Sequence, residues 1–342
     1  MASRVRIEDV AAAASVSMKT VSRVLNREPN VRADTRERVL AAVERLKYIP
    51  DFSARSLAGK KSFLIALLYN NPSANYLMEV MGGVLAACES HQYNMLLCPL
   101  DFERAGIVAD VEALVARSQP DGLVLTPPIT DLPPLLARLS ELDIPSASIS
   151  PKVHADCSGV AMDETQAACD MVAHLVSLGH RRIAHIAGHP AHGASEWRLK
   201  GYREGLERAG IPFDPSLLIP GEFTFESGVR GAEALLDLKQ RPTAIFAAND
   251  DTAAGVITAA LTRGVRIPED LSVCGFDDTP MSRHIFPALT TVHQPTHEMG
   301  RLATLELLAS IRKHEGSRIL HVPYMLQLRR STGPAPNKQT RC

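Results

Sequence analysis

From residue 62 onward the chain alternates short apolar runs with amphipathic stretches, and that alternation restricts the fold more than any other feature. FLIALLY (63–69), NMLLCPL (94–100), DGLVLTPP (121–128) and PSASIS (145–150) read as strands. Between them, 76–91, about 106–118 and about 132–142 carry helical spacing. The pattern restarts with a helix from Glu164 to Leu178, a turn and strand in GHRRIAHIAG, and a helix through Trp197 to Ala209. TAIFAAND, a helix to Arg263 and LSVCGFDD follow. Strands apolar along their whole length are buried on both faces, and strands separated by helices pair in parallel through crossovers. The expected body is α/β, built as two parallel-sheet halves in succession.

The first sixty residues follow another rule. Ile7, Val10, Ala11 and Ala14 recur at i, i+3, i+4 and i+7, which predicts a short helix with one buried face. Ser17 is placed to cap a second helix, Met18 to about Leu25, after a turn at Ser15-Val16-Ser17. Val21, Val24 and Leu25 form its inner stripe, leaving Met18, Lys19, Ser22 and Arg23 outward. A third helix is expected from about Ala33 to Leu46, with Val39, Leu40, Val43 and Leu46 inward. Two short helices joined by a tight turn describe a helix-turn-helix.

Charge separates the two regions. Residues 1–61 hold 13 Lys/Arg against 7 Asp/Glu, a net +6, whereas the remainder is −7, so the overall −1 conceals a basic head on an acidic body. This division suits a nucleic-acid module joined to a region that does not touch nucleic acid. No apolar run reaches the length of a membrane helix, and MASRVRIEDVAAAAS lacks the regions of a signal peptide. The six cysteines show no CxxC spacing and read as reduced thiols, so a cytoplasmic protein is expected.

IEDVAAAASVSMKTVSRVLN, V-x-x-x-T-R-x-x-V at Val31–Val39, YIP at Tyr48–Pro50 and ARSLAGKKS resemble the lactose-repressor (LacI/GalR) family in order and spacing. GHRRIAHIAG, EWRLKGYREGL, PTAIFAANDD, SVCGFDDTP and PALTTVHQP extend the resemblance over about residues 5–333. It implies an N-terminal all-α helix-turn-helix head plus an α/β periplasmic-binding-protein-like body of two parallel-sheet subdomains. The expected divisions are a DNA-binding head (1–48), a hinge helix and linker (49–61), an effector-binding and dimerisation core (62–333) and a disordered tail (334–342). Subdomain one takes about 62–162 and 294–322; subdomain two takes about 163–293 and 323–333. Two departures stand out. Ser15 replaces the usual turn glycine, costing roughly 1 kcal/mol in a left-handed turn, and Arg32 stands where a capping Ser is common.

Chemistry and resemblance together assign the head. Met18 and Lys19 stand where the family reads base edges: Lys19 could donate to guanine O6 or N7, and Met18 pack on a thymine methyl. Arg23 could reach a base or a phosphate, and Ser17, Thr20 and Asn26 suit the phosphate backbone, with Ser22 on the same face. In the hinge, Arg55, Leu57 and Ala58 are assigned to DNA. The resemblance implies a short helix, Phe52–Ala58, that orders on the operator and wedges Leu57 into the minor groove.

In open α/β sheets ligands lie beyond the carboxyl ends of strands. That rule, with the resemblance, gives Tyr69, Asn70, Thr126, Ser150, Asp163, Arg198, Phe223, Asn249, Asp277 and Gln294 as effector-contacting candidates. Arg198 donates, Asp277 accepts and Asn249 does both, a set suited to vicinal hydroxyls. Tyr76, Glu196 and Trp197 are open between ligand contact and structural roles. His185, His189 and His192 have metal-ligand spacing only on a helix, whereas His185 reads as mid-strand, so no metal or cofactor is expected. Asp277-Asp278 are adjacent and unsuited to a glycosidase pair, and no nucleophile elbow, Walker motif or dinucleotide fingerprint occurs. The expected function is a non-enzymatic repressor of carbohydrate-utilisation genes, binding a palindromic operator as a homodimer and released by a mono- or disaccharide. The alternative is the same fold responding to a purine or other co-repressor.

Overall fold

A computed structural model describes residues 5–25, 30–48, 61–152, 157–313 and 318–336. Two compact units divide at Phe63 and Leu64.

The first unit is α1 (Ile7–Ala14), α2 (Met18–Leu25) and α3 (Ala33–Leu46). Val10, Ala11, Ala14, Val21, Val24, Val39 and Ala42 form its core. The Ser17 hydroxyl caps α2 as expected, accepting from Thr20 N at 3.2 Å. Ser15 takes the left-handed conformation (φ 54) that the departure from glycine predicts to be strained. Arg32 makes no side-chain cap, and Asp34 stands in the first turn of α3. Leu40 corrects the expected stripe: it is 49% exposed. Val39, Ala42, Val43 and Leu46 follow i, i+3, i+4 and i+7, which turns position 40 about 100° away from Val39.

The second unit begins with β1 (Leu64–Tyr69), α4 (Ala74–Ser90), β2 (Asn94–Pro99), α5 (Ile107–Ser118) and β3 (Gly122–Leu125). There follow α6 (Pro133–Glu141), β4 (Ser146–Ile149), β5 (Ser158–Ala161), α7 (Glu164–Ser177), β6 (Ile183–Ile186) and α8 (Gly193–Arg208). Next are β7 (Leu218–Ile219), α9 (Phe225–Leu236), β8 (Ala244–Ala247), α10 (Asp250–Thr262), β9 (Ser272–Cys274) and α11 (Met281–His284). β10 (Thr291–His293), α12 (Thr296–Lys313), β11 (Ile319–His321) and β12 (Met325–Gln327) complete the chain.

Lobe one is the six-stranded sheet, in order β11-β5-β4-β3-β1-β2; lobe two is the four-stranded sheet, β7-β6-β8-β9. All neighbouring strands in both are parallel, with Leu67 beside Leu97 and Val124, and Ile245 beside Ala184 and Val273. β10 and β12 pair antiparallel, Val292 opposite Leu326. The chain passes between the sheets after β5, after β10 and after β11, so each lobe needs distant segments to close. Helix packing then sets positions for the site. A Cβ on Gly201 of α8 would stand 2.1 Å from Thr165 O of α7, so only glycine permits that approach, which places Arg198 three residues earlier beside Glu164.

Candidate nucleic-acid face and ligand cleft

On the head, burial of Val21 and Val24 turns Met18, Lys19 and Arg23 outward, with Met18 49% exposed. Ser17 is exposed, and Thr20 and Ser22 are half-buried on the same helix. The Ser17 and Thr20 hydroxyls are 3.0 Å apart, so the cap tethers both at the N-terminus of α2. Asn26, Arg55, Leu57 and Ala58 lie outside the described residues.

In the second unit, Arg198 on α8 organises a cavity between the lobes. Its Nε donates to Glu164 Oε2 at 2.8 Å and Nη1 to Ala248 O at 2.6 Å. Nη2 faces Asp277 Oδ1 at 3.4 Å and Gln294 Oε1 at 3.3 Å. The guanidinium stacks 3.6 Å above the Phe276 ring centroid. A planar fork with rigid donors meets such a set of acceptors where an ammonium would not. Asn249 caps α10 by accepting from Thr252 N at 2.9 Å, and donates to Phe223 O at 3.0 Å. Phe223 itself lies in the left-handed region (φ 62). A Cβ on Gly188 would meet its ring at 2.0 Å, so this glycine gives the ring its place on the cavity wall.

The electrostatics follow from burial. Desolvation holds the Asp277 carboxyl well above the ordinary carboxylate range; Arg198 opposes this, and Asp250, Glu164 and Asp251 add to it. Burial pushes Asp250 up to about 7 despite hydrogen bonds from Thr291 and Thr279. It pushes His192 down to about 4, with His189, Arg198 and Lys152 adding repulsion.

Six candidates surround one cavity: Ser150, Arg198, Phe223, Asn249, Asp277 and Gln294. Asn71, Ser73, Tyr76, Pro127, Glu164, His192 and Ala194 complete the lining. Tyr76 is thus both buried and a wall residue. The cavity is narrow, about 30 Å³.

Four candidates stand elsewhere. Tyr69 and Asn70 border a neighbouring cavity of about 490 Å³ with Phe102, Glu103 and His189, and Asn70 Nδ2 donates to Leu100 O at 2.6 Å. Thr126 is fully buried with its hydroxyl on Leu68 O. Asp163 is an exposed N-cap that accepts from Gln166 N at 2.8 Å. Its neighbour Glu164 turns inward instead, a one-residue difference that only the helix start could have revealed. Glu196 is exposed and pairs with Lys152 at 3.6 Å, and Trp197 is half-buried; neither lines the cavity. His185 lies within β6, stacked on Tyr202 and bonded through Nδ1 to Phe246 O, apart from the cavity that His192 lines.

A helix-turn-helix head on a two-lobed body with a polar cleft defines a ligand-responsive DNA-binding transcription repressor. Residues 6–51 match the bacterial regulatory proteins of the lacI family, and residues 172–332 match the periplasmic binding protein-like domain. Catabolite control protein A of Priestia megaterium is 34% identical, over 96% of this chain and 99% of that protein. The HTH-type transcriptional repressor PurR of Photorhabdus laumondii is 35% identical, over 96% of this chain and 97% of its own. The solved lac repressor dimer bound to operator and the anti-inducer ONPF has a TM-score of 0.77 at 28% identity, covering 97% of this chain and 100% of that one. The chain belongs to the LacI family of bacterial regulatory proteins. These relatives are transcription regulators, not enzymes. No helix among the described residues is long and apolar enough to cross a membrane.

Proposed function

We propose that this protein binds a palindromic operator as a homodimer and is released from it by a small sugar held in the interlobe cleft. The observation that carries the reading is the convergence of Arg198, Asp277, Asn249 and Gln294 with the Phe223 ring on one buried cavity. Paired donors and acceptors beside an aromatic face suit a polyhydroxylated ring. Two heads must sit about one DNA turn apart, which requires two copies of the chain. A ligand that prefers a parted arrangement of the lobes would shift the body away from its operator-bound state, and a few kcal/mol of preference suffices. A purine co-repressor is the second reading. It is favoured by the likeness to PurR and by the aromatic walls Phe223 and Tyr76.

Thermal melting against mono- and disaccharides and nucleobases tests the choice. Binding to the native state alone adds about 2.7 kcal/mol at a hundredfold excess over Kd. A shift with one sugar supports induction, and a shift with a purine alone supports co-repression. No shift with any compound would contradict a small-molecule effector.

A further inference from the structure

Among the cavity's lining residues, the acidic side chains are Glu164 and Asp277, burial favouring the neutral form of the latter, and the one guanidinium is Arg198. Every nitrogen of that guanidinium already donates to a protein acceptor. Each carboxylate gives Arg198 one oxygen, and its second oxygen meets no protein donor among the described residues. His192 adds no charge near neutral pH, because burial keeps its ring unprotonated. The one guanidinium of the lining is therefore committed to protein acceptors, and the Glu164 carboxylate stands beside it with an oxygen left for a ligand. An independent observation marks where a ligand completes the wall. Ser150 is 3% exposed, lines the cavity with its backbone at φ 48, and its buried hydroxyl has no hydrogen-bond partner. An orphaned buried hydroxyl is costly unless something satisfies it.

We infer that the cleft takes an uncharged or amine-bearing polyhydroxylated compound, excludes phosphorylated and carboxylated ones, and owes that exclusion to Glu164. The inference rests on the cleft being the effector site. A phosphate entering it would meet the Glu164 carboxylate at short range in a poorly solvated space, with the guanidinium of the lining already engaged. Ligand hydroxyl or amine hydrogens instead find the open carboxylate oxygens and Ser150 Oγ. Glu164 is the first residue of α7, fixed there by the Asp163 cap beside it, so its charge is built into the helix start.

Isothermal titration of the full-length protein with inorganic phosphate, glucose and glucose 6-phosphate tests this in wild type, Glu164→Gln and Glu164→Gln/Asp277→Asn. The wild type is expected to bind neither phosphate compound at millimolar concentration. The double variant, whose lining carries a net positive charge, is expected to bind inorganic phosphate at least about tenfold more tightly than wild type, with Glu164→Gln between them. Glucose 6-phosphate binding to wild type more tightly than glucose would overturn the inference. So would a double variant with intact near-ultraviolet circular dichroism and no gain for phosphate; if it does not fold, Glu164→Gln and the wild type decide. Operator release is a separate readout: its absence with every compound contradicts the effector reading, while the phosphate titrations still decide the charge selection.

Discussion

The two lobes contribute to the cleft in different ways. Lobe two supplies Arg198, Asn249, Asp277 and Phe223, and links them to one another or to its own backbone. Lobe one supplies Asn71, Ser73, Tyr76, Pro127 and Ser150. There the Ser150 hydroxyl lacks a partner, and the Ser73 hydroxyl donates across the cleft to Asp251 at the start of α10. Lobe two is thus a platform ordered before any ligand arrives, and ordering a site in advance lowers the free-energy cost of binding. On lobe one, Asn71 and Ser73 serve the start of α4, while the Ser73 hydroxyl also reaches lobe two and the Ser150 hydroxyl has no protein partner.

Removing the centre of the platform is expected to have the largest effect. Arg198→Ala leaves Glu164 and Asp277 buried without their cation and should cost about 3–5 kcal/mol in urea unfolding. A loss below about 1 kcal/mol would mean that lobe two is not held by this hub.

Acid comes next, and it too should discriminate between the lobes. The fully buried histidines among the described residues, His180, His185 and His192, all belong to lobe two. Burial holds His185 and His192 down to about 4, against about 6.5 for an unfolded histidine. A depressed histidine pKa means the fold favours the neutral ring. Its contribution is therefore present above about 6.5 and lost as the pH falls toward 4. Asp250, raised to about 7, acts oppositely, since its protonated form is favoured in the fold as the pH falls. His185→Leu isolates the histidine part. Its stability relative to wild type should rise by about 1–3 kcal/mol between pH 7.5 and 4.5 in denaturant titrations. A pH-independent difference would show that this ring is not buried neutral.

On lobe one, Ser150→Ala should leave unfolding within about 0.5 kcal/mol of wild type, because no protein partner is lost. Its ligand affinity should fall by about 1–2 kcal/mol, measured by calorimetry. Equal losses in stability and affinity would break the contrast. Asp251→Ala should have the smallest effect, under about 1 kcal/mol, since a half-buried hydrogen bond to Ser73 is weak. It should shift the lobes toward the parted arrangement, read as a longer interlobe distance by fluorescence transfer; an unchanged distance would mean that Ser73 and Asp251 do not latch the cleft.

Legibility in the sequence followed the same division. The strands with long apolar runs, β1, β3, β6 and β8, were plain, and the residues just beyond lobe-two strands, Asn249 and Asp277, fell on the cavity. Arg198 was reached through its helix and the family resemblance. The strand-end rule worked less well in lobe one. Thr126 is at a strand end, yet its hydroxyl is taken by Leu68 O, because the rule gives an end of the sheet and not the direction of a side chain. Glu164, His192 and Ser73 carry no local pattern: their places depend on partners far along the chain, such as Arg198, 34 residues from Glu164. β5, α9, α12, β11 and β12 were not read as elements. SGVA and the three-residue strands are too short to show a period, and α12 returns to lobe one only after the chain has completed most of lobe two.

The most direct test of cleft-controlled operator release is fluorescence anisotropy of a labelled operator, selected from random DNA, against increasing sugar. The wild type should release it, and Ser150→Ala should need about 5–30 times more of the same sugar. Release at the same concentration in both proteins would contradict the account.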